Sequence, residues 1–142
     1  AILICYDSEF PLLARAVSDA ELLLIPSCTE ALAGYSRVRI SAMARALEAQ
    51  CVSVMSSIVG DAPWSPAVDV NVGMGGIFGP PDHGFPETGI IAEGVLNQPG
   101  WTIGEVDLAR VAHVRADGGV LNRAHWADQD GRDAAPPVVA LR

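Results

Sequence analysis

The sequence predicts an α/β fold, and three observations carry the prediction. Apolar runs at 1–5, 21–27 and 51–60 have the length and composition of strands. The segments between them, at 9–18 and 35–50, repeat their apolar residues at helical spacing. The resulting β-α-β-α-β order places helices over a sheet with parallel neighbours. The chain has 142 residues, 50% of them hydrophobic and 18% charged. That is too apolar for disorder, and the length suits one domain or part of a larger one.

Each element has a local reason. Residues 1–5 and 21–27 (ELLLIPS) are continuous apolar runs, the pattern of strands covered on both faces. In 9–18, Pro11 suits the first turn of a helix, with Asp7 or Ser8 available as its cap. In 35–50, Val38, Ala42, Ala46 and Ala49 form one small-residue stripe beside a polar face of Arg37, Ser41, Arg45 and Glu48. The Gly, Pro and Asp content of 60–88 reads as a long loop interrupted by a short strand at 76–78. GIIAEG (89–94) and WTIGEVD (101–107), separated by NQPG, read as a hairpin, and 108–116 as a short helix. From residue 118 onward the chain reads as extended.

The bulk numbers narrow the partners. A net charge of −8, with all nine basic residues arginine and no lysine, argues against binding a nucleic-acid backbone. No apolar run approaches the roughly 20 residues of a membrane helix, so no membrane partner is expected. The three cysteines, Cys5, Cys28 and Cys51, are odd in number and lack metal-site spacing. They point to free thiols in a reducing compartment, hence a cytoplasmic location. No secretory signal is visible, and the chain starts inside a strand without a methionine.

Cys5 is the sharpest chemical feature. A thiol at the C-terminal end of a parallel strand, ahead of a helix, sits where α/β proteins place their ligands. The approaching helix N-terminus favours thiolate, and the following turn offers backbone N–H groups, chiefly that of Tyr6, to an oxyanion. The competing reading is a small side chain filling a strand end. Ser27, Cys28 and Thr29 follow a neighbouring strand end and are candidate pocket residues, or else a polar turn. Arg37, Arg39 and Arg45 with Glu48 suit either substrate contact or helix-surface ion pairs. The run Gly73-x-Gly75-Gly76-x-x-Gly79 is followed by Pro80-Pro81 rather than a helix, so phosphate cradling is not expected. Asp82-His83 and His125 stand too isolated for a metal site.

The run L-I-C-Y-D-S-E-F-P (3–11) resembles the nucleophile motif of the nitrilase superfamily, the carbon–nitrogen hydrolases. ELLLIPSCT (21–29) looks like that family's next strand and pocket loop. SAMARALEAQCVSV (41–54) looks like its following helix and strand, with R-A-L-E in register. GGIFGPPDHGFPETGIIAEG and WTIGEVDLARVAHVR are similar to its hairpin, closing strand and helix. The resemblance covers residues 1–126, the C-terminal portion of such a domain, and leaves 127–142 as an extended tail. It implies part of an α-β-β-α sandwich.

The resemblance also implies chemistry: a Glu-Lys-Cys triad in which Cys5 attacks an amide or nitrile carbon and water hydrolyses the thioester. No metal or organic cofactor is implied. The family's glutamate and lysine precede its cysteine, and this chain has no lysine, so it reads as a fragment that lacks the complete machinery. The chain departs from relatives that clasp a carboxylate, because Ser8 and Glu9 stand where those carry arginines. Glu9 is therefore a candidate pocket residue that disfavours anionic substrates. The expected partners are a small amide or nitrile and either a second copy of the chain, as a homo-oligomer, or the missing N-terminal half. The alternative functions are a nitrilase acting on a nitrile, and a non-catalytic half-domain serving as an assembly surface.

Overall fold

The computed structural model describes residues 1–139. Its centre is a four-stranded sheet in the order β1 (Leu22–Ser27), β2 (Val52–Ser57), β3 (Gly76–Phe78), β4 (Ile90–Glu93). β1 and β2 are parallel, in the register Leu22 to Val52 through Ser27 to Ser57. The link between them is α2 (Leu32–Ala49), the crossover a parallel pair needs. β3 runs antiparallel to β2 and β4 antiparallel to β3.

Two layers of side chains hold the helices to the sheet. The stripe Val38, Ala42, Ala46 and Ala49 of α2 is buried against Leu23, Ile25, Met55 and Phe78. Alanine at three of these four positions removes bulk, and the helix lies close enough for Ser53 Oγ to donate to the Ala42 carbonyl at 2.7 Å. On the opposite face α3 (Leu108–Asp117) sets Val111 against Val52 and Ile77. Asp107 caps α3, accepting from the Ala109 N–H at 2.9 Å.

Several expectations are corrected. Residues 1–4 make only one isolated parallel bridge, Ile2 to Leu24, along the free edge of β1. The chain turns sharply at Cys5, which stops the pairing with β1 there. Neither this arm nor β1 is covered on both faces: β1 alternates buried and exposed, and Ile2 and Ile4 are each 61% exposed beside Leu22 and Leu24. The first helical region is a 3-10 helix, Cys5–Glu9, followed by α1 (Pro11–Ala16), with Pro11 in its first turn. Neither Asp7 nor Ser8 caps α1; Phe10 holds that position without a side-chain bond.

The hairpin is β3 with β4, not β4 with 101–107, which form no strand. Residues 101–107 instead pack over the β3–β4 hairpin: a Cβ on Gly75 would lie 2.5 Å from Thr102 Oγ1, and one on Gly104 3.1 Å from Ile77 and 3.3 Å from Ala92. The glycine run 73–79 is accordingly a close-packing device, with a Cβ on Gly73 meeting Ser57 at 2.4 Å. The end of the chain is tied down further than expected. Gln50, fully buried, donates to the Val114 and Val120 carbonyls at 2.8 and 2.9 Å and accepts from the Arg123 N–H. Arg115 donates to the carbonyls of Ser18, Asp19, Ala20 and Gln50, and Arg123 pairs with Asp19. A 3-10 helix, Ala124–Gln129, follows; residues 130–139 have no regular structure, and the last three residues of the expected tail lie outside the described ones.

Candidate active site

The C-terminal ends of β1 and β2 and the end of the 1–4 arm reach one edge of the sheet together, because all three run parallel. Cys5 stands at that edge with φ 48°, one of three non-glycine residues in the left-handed region among the described residues. Such a backbone costs an L-residue about 1–2 kcal/mol, a strain of the kind that clusters at active sites. Ser8, fully buried, holds the turn by donating Oγ to the Cys5 carbonyl at 2.7 Å. The turn lifts the thiol out of the core: Cys5 is half-buried and borders two depressions. One is lined by Ile4, Pro26, Ser27, Cys28, Ser57 and Ile58; the other by Tyr6, Glu9, Cys28, Thr29, Glu30 and Arg37.

The sequence-predicted residues do meet here. Tyr6 is the second residue of the 3-10 helix, so its N–H is one that the helix itself cannot satisfy. Glu9 forms the wall of the second depression, where its carboxylate faces Arg37 Nε at 3.4 Å. That ion pair offsets the negative charge expected of the pocket. Thr29 and Ser27 are present but engaged: Thr29 Oγ1 donates to the Val72 carbonyl at 2.7 Å, and Ser27 Oγ lies 3.0 Å from Ser57 Oγ. Arg39 pairs with Glu93 and Arg45 with Glu48, so neither reaches Cys5. His125 lines a separate groove with Pro11, Arg15 and Trp126, which Cys5 does not border.

The three thiols differ sharply. Cys5 Sγ lies 3.5 Å from the Cys28 carbonyl oxygen, and Cys28 Sγ donates to Asn71 Oδ1 at 3.1 Å. Cys51 is buried behind α2, and burial pushes its thiol up to about 11, against smaller opposing effects from Arg115 and the chain amino terminus. Sequence reasoning missed Asn71 and Val72, which come from the loop after β2. Asn71 also donates to the Gly60 and Val68 carbonyls, and the Val72 N–H reaches the Thr29 carbonyl at 2.8 Å. This loop is the outer support of the Cys28–Thr29 turn. A lone asparagine in VDVNVG carries no pattern that would reveal it.

No protein-family model matches the chain. The chain is similar to a probable hydrolase, YhcX, of Bacillus subtilis (strain 168): 43% identical over 122 residues, 84% of this chain and 24% of that protein. It superposes on Saccharomyces cerevisiae Nit3, a member of branch 10 of the nitrilase superfamily, with a TM-score of 0.64 and 22% identity, covering 81% of this chain and 40% of that one. It superposes likewise on an amidase from Nesterenkonia sp. AN1, a mutant carrying the acetamide moiety of fluoroacetamide at its active-site cysteine. There the TM-score is 0.60 and the identity 20%, over 94% of this chain and 43% of that one. The chain thus spans about a quarter of the curated relative and less than half of either solved chain.

Proposed function

We propose that this chain, which has the fold of nitrilase-superfamily carbon–nitrogen hydrolases and a cysteine motif resembling theirs, is a member of that superfamily and carries the nucleophile of a thiol hydrolase. The substrate is a small amide whose non-peptide carbon–nitrogen bond is cleaved through a thioester. The observation that carries this reading is the strained left-handed Cys5 at the point where the 1–4 arm meets the ends of the parallel strands β1 and β2. The preference for an amide over a nitrile rests on the fold neighbour that is an amidase.

In the proposed reaction Cys5 Sγ attacks the carbonyl carbon, and the negative charge moves to the carbonyl oxygen, facing the Tyr6 N–H. Collapse of this intermediate breaks the carbon–nitrogen bond, and the amine leaves with a proton. Water then attacks the thioester, releasing the acid and restoring the thiol. The ammonium that the family supplies has no counterpart here, since the chain has no lysine. As for the base, among the described residues no carboxylate bonds to Cys5: of the two at the second depression, Glu9 is engaged by Arg37 and Glu30 makes no hydrogen bond to the thiol. Both groups would come from sequence outside these 142 residues. The uncovered face of Ile2, Ile4, Leu22 and Leu24 favours association, with that sequence or with a second copy.

The test is a single-turnover assay of the full-length protein with a small aliphatic amide, read by mass. An acyl group on the Cys5 peptide, absent from Cys5→Ala, is the expected result. Amide turnover that survives in Cys5→Ala would end the proposal.

A further inference from the structure

The geometry points to a second chemistry at the same edge: Cys5 and Cys28 form an oxidation-sensitive pair, in which Cys28 captures an oxidised Cys5 as a reversible disulfide. The placement is the argument. The arm of residues 1–4 continues β1's parallel pairing, with Leu3 N–H to the Leu24 carbonyl at 3.0 Å and Leu24 N–H to the Ala1 carbonyl at 2.9 Å. Neighbouring strands lie about 4.8 Å apart. Cys5 and Cys28 follow the ends of these two neighbours, and Cys5 Sγ touches the Cys28 carbonyl at 3.5 Å. The parallel bridge Ile2 to Leu24 sets Cys5 level with Ser27, one residue short of Cys28. The 3.5 Å contact of its Sγ with the Cys28 backbone brings the two residues side by side. That is within the reach of a disulfide, which spans Cα atoms roughly 4.4–6.8 Å apart. Both thiols are half-buried, and both border both depressions, so an oxidant that reaches one reaches the pair.

What holds them apart is the Cys28 rotamer. Its thiol turns away from Cys5 to donate to Asn71 Oδ1 at 3.1 Å. This is one weak hydrogen bond, and Asn71 keeps its other partners, the Gly60 and Val68 carbonyls, when it is given up. Cys51 has no route to either: it is buried behind α2, its Sγ directed to the Arg45 carbonyl.

The oxidant is a hydroperoxide. Cys5 thiolate attacks the terminal oxygen of hydrogen peroxide; the O–O bond breaks, an S–O bond forms, and hydroxide leaves. Sulfur has lost two electrons and peroxide has gained them. Cys28 thiolate then attacks the sulfenic sulfur; the S–S bond forms, the S–O bond breaks, and the departing hydroxide takes up a proton. The balance is two thiols and one peroxide to one disulfide and two waters. The consequence is protection, because a captured Cys5 does not proceed to the irreversible sulfinic and sulfonic acids. None of this depends on amide hydrolysis, so it stands or falls separately from the reading above.

The experiment treats the chain with hydrogen peroxide, blocks free thiols with N-ethylmaleimide, and maps peptides without reductant. The expected product is an intramolecular Cys5–Cys28 peptide pair lighter by two hydrogens, with full return of Cys5 labelling after dithiothreitol. In Cys28→Ser, Cys5 should instead accumulate sulfinic and sulfonic acid that dithiothreitol does not reverse, while Cys51→Ser should behave as the parent. The unmutated chain alone can overturn the inference. Cys5 sulfinic acid without a linked pair, a pair that includes Cys51, a link between two chains, or a Cys5 that peroxide leaves unmodified would each do so.

Discussion

The buried hydroxyl of Ser8 donates to the carbonyl oxygen of Cys5 at 2.7 Å, and with the Asp7 N–H bond to the Ile4 carbonyl at 2.9 Å it closes the turn in which Cys5 has φ 48°. The reactive position is therefore bought at the expense of local backbone comfort, and its geometry hangs in part on a serine three residues on.

Replacing Cys5 should expose that strain. Glycine adopts a left-handed backbone freely, whereas alanine carries the same penalty of about 1–2 kcal/mol as cysteine. Glycine's extra chain entropy returns about 0.5–1 kcal/mol of this. Cys5→Gly is thus expected to be more stable than Cys5→Ala by about 0.5–1 kcal/mol in urea unfolding. Equal midpoints would show that the turn is unstrained.

Ser8→Ala should cost about 0.5–1.5 kcal/mol, since it removes one hydrogen bond to the Cys5 carbonyl while the Ser8 N–H of the 3-10 helix stays beside it. It should also slow alkylation of Cys5 by iodoacetamide, because the thiol would no longer be held in one direction. Unchanged labelling would separate the hydroxyl from the site.

Among the three thiols, the expected order of alkylation at neutral pH is Cys5 first, Cys28 slower and Cys51 last. Cys51 is nearly all thiol until the pH approaches about 11, and α2 shields it. Its labelling should rise only in strong alkali or on unfolding. Early modification of Cys51 in the native protein would contradict the packing.

Gln50→Ala is expected to destabilise by roughly 2–4 kcal/mol, the cost of stranding buried polar groups on three sides. The Val114 and Val120 carbonyls and the Arg123 N–H all lose their partner. The denaturant midpoint checks it, and near-native stability would mean that Arg115, Arg123 and Asp82 hold the C-terminal segment without Gln50.

Acid should release the same segment from its other anchor. Desolvation pushes the Asp82 carboxyl up, but backbone N–H groups of Gly119, His83 and Val120, aided by the His83 charge, outweigh it and hold the carboxyl below its ordinary value of 3.8. A depressed folded value means that this contribution is fully present above the ordinary value and disappears as the pH falls through the folded one. The stability difference between the parent and Asp82→Asn should therefore be constant at neutral pH and vanish only in strong acid. A difference that grows as the pH drops would reverse the assignment.

Much of this protein was legible in one dimension. The helical stripe Val38, Ala42, Ala46, Ala49 and the three-residue strand Gly76–Phe78 follow from periodicity and from breaks in composition, which are local properties. So does the prominence of Cys5, a thiol at a strand end ahead of Pro11. Other features are decided only when distant segments meet. Whether Leu22 and Leu24 are covered depends on what packs over β1, and their apolar character is the same either way. WTIGEVD has strand-like residues, yet 101–107 finds no ladder because β4 pairs with β3 and glycines let the segment lie over that hairpin. Cys28 became a partner of Cys5 only through parallel pairing of two strand ends more than 20 residues apart, and Asn71 its holder through a loop whose composition carries no signal. Local sequence sets which residues want to be buried or to turn; the closure of the chain decides which of them face each other, because a contact's energy depends on both partners and only one is visible at a time.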